Sequence, residues 1–248
     1  MLVSVCMATY NGAEFIKEQV DSILNQVFKE NPDTEIELVV SDDGSKDDTV
    51  SILENYNDKR IRIFRHHDQR QYRYLNANRK CMKNFENAML HASGEYIFLS
   101  DQDDVWYPYK VDKAVSLLKK MGGVVASAFD MGDGRLRKNG MVVYPHDYSF
   151  FSFRQFGIYG FSIAFTKDEM RYFLPFPTCC TGHDVYIQYS SHWRKTLRFI
   201  DEPCAIHRYS GIHNVSSFGK NNVMVPLYLK VLFRLNTYIS VMWRALVR

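Results

Sequence analysis

Cysteine is scarce in this chain: Cys6, Cys81, Cys179, Cys180 and Cys204 are the only five in 248 residues. Their number is odd and no C-x-x-C spacing occurs, so the sequence supports neither a disulfide framework nor a zinc knuckle, and a reducing cytoplasm is the simpler setting. Long apolar runs are missing too. No segment offers the roughly 18 uninterrupted apolar residues of a membrane span. No signal peptide is expected ahead of the fold, because Val3-Ser4-Val5-Cys6-Met7 already has the composition of a buried strand. Acidic residues stop early: Glu202 is the last, and Arg208, Lys220, Lys230, Arg234, Arg244 and Arg248 follow it. The net charge of +3 is nevertheless too small to argue for nucleic acid by itself. No internal repeat or low-complexity segment is present.

The chain does have a globular composition, 46% hydrophobic and 24% charged. Its length fits one large domain, or one domain with a small appendage. Leu2 to Ala8 is an apolar, β-rich run ended by Thr9-Tyr10-Asn11-Gly12, where Asn-Gly signals a turn. Ile16, Val20, Ile23, Leu24 and Val27 recur at helical spacing, which predicts a helix from about Ala13 that Asn31-Pro32 stops. Ile36 to Val40 forms a second strand running into Ser41-Asp42-Asp43-Gly44-Ser45, with a helix from Asp48 or Thr49. Ile61 to Phe64 is a third strand. A helix from about Cys81 to His91 precedes the strand Tyr96 to Leu99. Strands alternating with helices predict an α/β fold with a mostly parallel sheet covered on both faces.

Beyond a helix Tyr109 to Lys120 and a strand Val124 to Ala128 the pattern changes. Gly132 to Gly140 has the look of a polar, Gly-rich loop. Ser162 to Phe165 is a candidate strand, Lys167 to Phe173 a short helix and His183 to Lys195 a longer one. Leu197 to Ile200 and Cys204 to Ile206 are candidate short strands.

Asp101-Gln102-Asp103-Asp104 is the most unusual stretch. Carboxylates this close repel one another and raise each other's pKa values, and hard divalent cations are common partners of clustered oxygen ligands. The alternative is an acidic helix N-terminus that meets the macrodipole. Location favours the metal. Thr9-Tyr10-Asn11, Asp42-Asp43 and Asp101 to Asp104 each follow a strand directly, and parallel sheets bind ligands at the carboxyl ends of their strands.

Taken together and in this order, these pieces resemble the family 2 glycosyltransferases of the GT-A fold over about Val3 to Ser217. The pieces are Val3 to Gly12, Val39 to Ser45, the helix that begins at Asn84 and ends in Ala92-Ser93-Gly94-Glu95, and Asp101 to Trp106. Ser-Asp-Gln-Asp-Asp-x-Trp and Gly182-His183-Asp184 are most similar to the rhamnosyltransferase-type branch that builds bacterial surface polysaccharides. The usual Tyr-Arg-x-His-Gly ending is replaced by His207-Arg208-Tyr209-Ser210-Gly211, with His213 downstream.

The resemblance implies a Rossmann-like nucleotide-sugar half (about 1–128) joined to an acceptor half (about 129–222) in one GT-A domain, with 223–248 as a tail. It implies an inverting, metal-dependent hexosyltransferase that takes a sugar, with rhamnose a candidate, from a UDP- or dTDP-linked donor. The acceptor is a glycan or polyprenyl-linked molecule. Asp103, with Asp101, matches the D-x-D ligands of Mn²⁺ or Mg²⁺. Thr9, Tyr10, Asn11, Asp42, Asp43, Asp101 and Gln102 match the donor site, with Asp43 favoured on the base, and Arg73 is a candidate diphosphate contact. Asp184 matches the catalytic base, against the plain alternative of a first-turn acid. His183, Arg208 and His213 are candidate acceptor or diphosphate contacts. Trp106 is expected to pack, and Asp104 either to orient the loop or to cap the next helix.

Other readings remain. A non-catalytic member would keep the nucleotide pocket as a binding or assembly module. The basic stretch from Lys59 to Lys83, with Tyr72 and Tyr74, has the ingredients of base stacking, but no nucleic-acid-binding motif accompanies it. The acid-free tail mixes Leu227, Leu229, Val231, Leu232, Leu235, Ile239 and Trp243 with basic residues. It suits an interfacial helix on an anionic membrane at the inner face of the cell, or a helix docked on the protein's own core or on a second copy.

Overall fold

The computed structural model describes residues 1–67, 69–70, 72–146, 157–178, 180–209 and 225–248. Strands β1 (Leu2–Thr9), β2 (Glu35–Asp42), β3 (Ile61–Arg65) and β4 (Tyr96–Ser100) alternate with helices α1 (Ile16–Leu24), α2 (Thr49–Glu54) and α3 (Asn76–Leu90). The interiors of β1, β2 and β4 are buried almost throughout, as continuous apolar strands covered on both faces must be. Then come β5 (Val105–Trp106), α4 (Lys110–Met121), β6 (Val124–Ser127), β7 (Phe129–Asp133) and β8 (Lys138–Val142). β9 (Ile163–Thr166), α5 (Met170–Phe173), α6 (His183–Trp193), β10 (Leu197–Ile200), β11 (Ala205–Tyr209) and α7 (Leu227–Val247) complete the described elements.

Seven strands form the main sheet in the order β10-β6-β9-β4-β1-β2-β3. Its pairs are parallel except that β9 runs antiparallel to both β4 and β6. A smaller sheet, β5-β11-β7-β8, stands beside the end of β4. The core follows the large sheet, with Val5, Met7, Leu38, Phe98, Phe85 and Phe165 fully buried. Truncating any one of these large side chains to alanine costs about 2–5 kcal/mol.

Three elements differ from the sequence reading. Gly132 to Gly140 is not a loop but the turn and flanks of the antiparallel β7–β8 hairpin. Its outer strand is solvent-exposed, so it needs no apolar alternation to mark it. α3 begins at Asn76, five residues before the expected Cys81, after Leu75 adopts a left-handed φ of 55°. α1 ends at Leu24 rather than running to Val27, because Gln26 Nε2 turns to the Tyr107 carbonyl at 2.8 Å and Val27 N to that of Pro108.

The tail is helical and packs against α6 and α5. Its basic side chains fasten it there: Arg244 donates to the carbonyls of Phe173 (2.6 Å) and Pro175 (2.5 Å), and Arg248 to that of Leu174 (3.0 Å). Among the described residues no helix is long and apolar enough to cross a membrane.

Candidate active site at the strand ends

Parallel register sets the geometry. Thr9 lies opposite Asp42, and Met7 opposite Ser100, so the polar turns after β1, β2 and β4 open on one sheet edge. Within those turns, several of the predicted site residues hold the turns themselves together. Asp42 Oδ1 accepts from Thr9 Oγ1 at 2.9 Å and from Ser45 Oγ at 2.5 Å. Its Oδ2 accepts from the backbone N–H groups of Gly44 and Ser45 at 3.1 and 2.9 Å. Asp42 therefore shapes the turn, and Thr9, itself buried, serves Asp42. Asn11 sits at a left-handed φ of 49° and accepts from Lys46 N at 2.8 Å.

Gln102 has a similar task. Its Oε1 accepts from Tyr10 N at 2.9 Å and its Nε2 donates to Tyr10 O at 3.1 Å, tying the acidic turn to the first one. A β-carbon at position 12 would lie 2.3 Å from that Oε1, which is why the approach requires Gly12. Tyr10 remains 45% exposed at the rim. Arg73 is exposed and stacks over Tyr74 at 5.4 Å.

The carboxylates converge. Burial, then Asp104 and Asp103, hold Asp101 well above the usual carboxylate range, and the charge of Asp184 adds to the push. Burial and Asp104 raise Asp103 to about 7. The thiol pKa of the half-buried Cys81 on α3 is raised by desolvation and then by Asp101, Asp184, Asp43 and Asp103. One thiol thus senses four carboxylates from two strand ends and from α6. Asp184 lies in the first turn of α6, with its Oδ1 folded so that a β-carbon on Gly182 would meet it at 2.6 Å.

Asp104 has a separate job. It is fully buried and makes no capping bond to α4. Its Oδ1 accepts from His207 Nδ1 at 2.7 Å and from Arg208 N at 3.2 Å, while its Oδ2 is buried with no hydrogen-bond partner. Burial works against a charge on His207, yet the hydrogen bond and charge of Asp104 keep its pKa raised. The His207 ring stacks on Phe161 with centroids 4.8 Å apart. Trp106 is buried, as expected, with Lys110 Nζ 4.3 Å from its ring centroid.

Arg208, a candidate acceptor or diphosphate contact, is deeply buried. It is 3% exposed, and its guanidinium donates to Asp103 O (2.9 Å), Gly134 O (2.6 Å) and the Glu18 carboxylate. A side chain so buried and with three of its five N–H donors engaged in this way braces the acidic turn from behind. His183 is also buried, its ring tilted against that of Phe85 with centroids 4.2 Å apart, with burial lowering its pKa and Nε2 packed against Gly160. Its ring lies within the core. His213 lies outside the described residues.

Sequence reasoning missed Glu18, Phe161 and the role of His207. The signal for His207 was strand alternation: one of the pair His207-Arg208 must turn to each face of β11.

Among the described residues no three His, Cys, Asp or Glu groups form a ready-made metal cage. The acidic turn nevertheless fits a cation held partly by protein and partly by substrate phosphates, the usual mode for a small hard ion. Two of its carboxylates bear charge at a cost, and Asp104 Oδ2 is buried and unpartnered.

The model of the family described as glycosyl transferase family 2 matches residues 4–183, from β1 to the residue before Asp184. An uncharacterized glycosyltransferase of Rickettsia prowazekii, RP339, is 32% identical over 120 residues, 48% of this chain and 33% of that one. A GalNAc(5)-diNAcBac-PP-undecaprenol beta-1,3-glucosyltransferase of Campylobacter jejuni is 35% identical over 104 residues, 41% of this chain and 29% of that one. The chain thus spans a third or less of the length of these curated relatives. Among solved structures, S. aureus TarS 1-349 in complex with UDP-GlcNAc superposes with a TM-score of 0.70 at 17% identity, over 97% of this chain and 66% of that one. The mannosyltransferase PcManGT from Pyrobaculum calidifontis, in complex with GDP-Man and Mn²⁺, gives 0.59 at 18% identity, over 98% and 73%. The mixed sheet flanked by helices is the GT-A fold of these structures.

Proposed function

The chain belongs to glycosyl transferase family 2, and from that premise we propose an inverting, metal-dependent transfer of a hexose from a nucleoside-diphosphate sugar to a glycan or polyprenyl-linked acceptor in cell-surface polysaccharide synthesis. One observation carries the reading: parallel register brings the turns after β1, β2 and β4 to one end of the sheet, and the charges of Asp43, Asp101, Asp103 and of Asp184 on α6 all act on Cys81 there. That arrangement supplies a nucleobase acceptor, a cation site and a base in one cleft.

Asp43 accepts the N3–H of a uracil or thymine base, with Asp42 fixing the turn beneath it. Tyr10 stands at the rim. Asp103 would hold the Mn²⁺ or Mg²⁺, with Asp101 beside it toward the ribose or sugar. A bound cation stabilises charge on the departing diphosphate. Asp184 takes the proton of the acceptor hydroxyl as that oxygen attacks the anomeric carbon from the face opposite the diphosphate. The C–O bond to the diphosphate breaks and its electron pair leaves with the nucleotide. UDP and GDP-Man complexes of structural neighbours support a nucleotide-sugar donor. The undecaprenol-linked name of the Campylobacter relative supports a lipid-linked acceptor. Rhamnose stays a candidate through the motif resemblance alone.

Calorimetric titration with UDP and dTDP, with and without Mn²⁺, tests the site, and hydrolysis of a donor panel names the sugar. Metal-strengthened nucleotide binding with slow consumption of one donor is expected. Nucleotide binding without consumption of any donor would point to a binding module instead.

A further inference from the structure

The helix α7 is mounted with its polarity reversed relative to an ordinary surface helix. Phe233, Thr237, Val241, Arg244 and Arg248 recur at helical spacing on the side that meets the body. There Tyr186 Oη and Ser240 Oγ lie 3.1 Å apart, Arg79 stacks over Phe233 at 5.3 Å, and the Arg244 and Arg248 donors reach backbone carbonyls. Tyr228, Leu232, Leu235, Ile239, Met242 and Leu246 recur at the same spacing on the opposite side, and all are exposed. Ile239 is 63%, Trp243 67% and Leu246 81% exposed. No charged residue interrupts this outward stripe, which runs most of a 21-residue helix. Contiguous apolar patches beyond a few hundred Å² are rare on a free soluble surface.

We propose that the outward stripe of α7 lies on the surface of an anionic phospholipid bilayer, holding the chain there in the plane of the interface. Charge selects this occupant over a second copy. The helix contains Lys230, Arg234 and Arg244, with Arg248 as its C-cap, and no acid, and no acid follows Glu202. The partners of Arg244 and Arg248 are carbonyls, which satisfy the donors and leave the charge in place. Two such helices face to face would bring like net charge together, whereas an anionic lipid surface attracts the net basic charge that the helix carries. The placement of Trp243 and Tyr228 suits the headgroup level, where amphipathic rings settle. Length and hydropathy restrict the helix to lying on the bilayer, since it does not qualify as a span.

The inference stands on α7 and does not require the sugar-transfer reading. The test is co-sedimentation of the whole chain with phosphatidylcholine vesicles with and without phosphatidylglycerol, beside light scattering for oligomeric state. Binding to the anionic vesicles is expected, with a blue shift of Trp fluorescence that Trp243→Phe removes. Ile239→Glu and Leu235→Glu, both at exposed positions, should weaken binding about tenfold or more without altering the melting temperature. UDP titration of the same variants should be unchanged, which keeps failure of the membrane inference apart from failure of the site. Absence of vesicle binding overturns the proposal. So does a dimer that Ile239→Glu splits into monomers, because the stripe would then be covered by its own copy.

Discussion

His207 Nδ1 stands 2.7 Å from Asp104 Oδ1, across 103 residues of chain. The bond joins β11 to the turn after β4, so the far end of the fold fixes the orientation of the acidic tetrad. It also explains why Asp104 is fully buried next to two carboxylates with raised pKa values. Of the three, it is the one with a ring N–H and a backbone N–H to accept from.

His207→Ala should therefore act through Asp104. Leaving a buried carboxylate short of a partner costs about 1–3 kcal/mol, visible as a lowered melting temperature. If the tetrad shifts as well, Mn²⁺-dependent nucleotide affinity falls in the same variant, and His207→Asn, which keeps a donor, restores part of both. Unchanged stability and affinity would detach His207 from the site.

Arg208 gives the opposite signature to a substrate contact. Arg208→Met removes donors from Asp103 O, Gly134 O and Glu18 at once. A loss of about 2–4 kcal/mol is expected, somewhat below a wholly buried ion pair because Glu18 reaches solvent. Urea unfolding measures it. A variant of unchanged stability with weakened UDP binding would return Arg208 to the diphosphate.

The raised Asp103 carboxyl sets a pH dependence. Its ordinary value is 3.8 and its folded value about 7, so between these the folded chain holds a proton that the unfolded chain has released. Stability from this group is therefore highest in mild acid and falls as pH rises toward 7. Mn²⁺ favours the ionised form, and should raise the melting temperature more at pH 8 than at pH 5.5. Asp103→Asn should make the metal-free chain more heat-stable at pH 8 and abolish the Mn²⁺ response. Scanning fluorimetry reads all three, and a Mn²⁺ response that survives Asp103→Asn would move the cation elsewhere.

Asp184 is tested by charge and by room. Asp184→Asn keeps the shape and should retain donor binding while transfer falls by about 10²–10⁴. Gly182→Ala places a β-carbon 2.6 Å from the carboxylate oxygen and should reduce turnover with little change in UDP affinity. Full transfer in Asp184→Asn would remove it as the base.

The nucleotide-side strands were legible because apolar runs and Asp, Asn and Gly turns are local signals. Thr9, Asp42 and Asp101 to Asp104 fell where the alternation placed them. Roles within those turns were not legible. Asp42 and Asp43 are adjacent and chemically alike, and only the positions of Ser45 and Gly44 assign Asp42 to the turn. The bracing role of Arg208 was not legible because its partners are distant in sequence; Glu18 is 190 residues away. The β7–β8 hairpin hid because an exposed edge strand such as Lys138–Val142 can be polar. The tail's helix was predicted, but its mounting depends on the carbonyls of Phe173 and Pro175, which no periodicity in the tail encodes.

β9 comes from the later part of the chain yet lies between β4 and β6, both completed before residue 128. Cutting the molecule there would leave a gap in the middle of its largest sheet, with two unsatisfied strand edges facing each other. The early part consequently waits for the late part during synthesis. Graft experiments that trade acceptor regions between relatives must carry β9 and its partners as one block, or the recipient will not close.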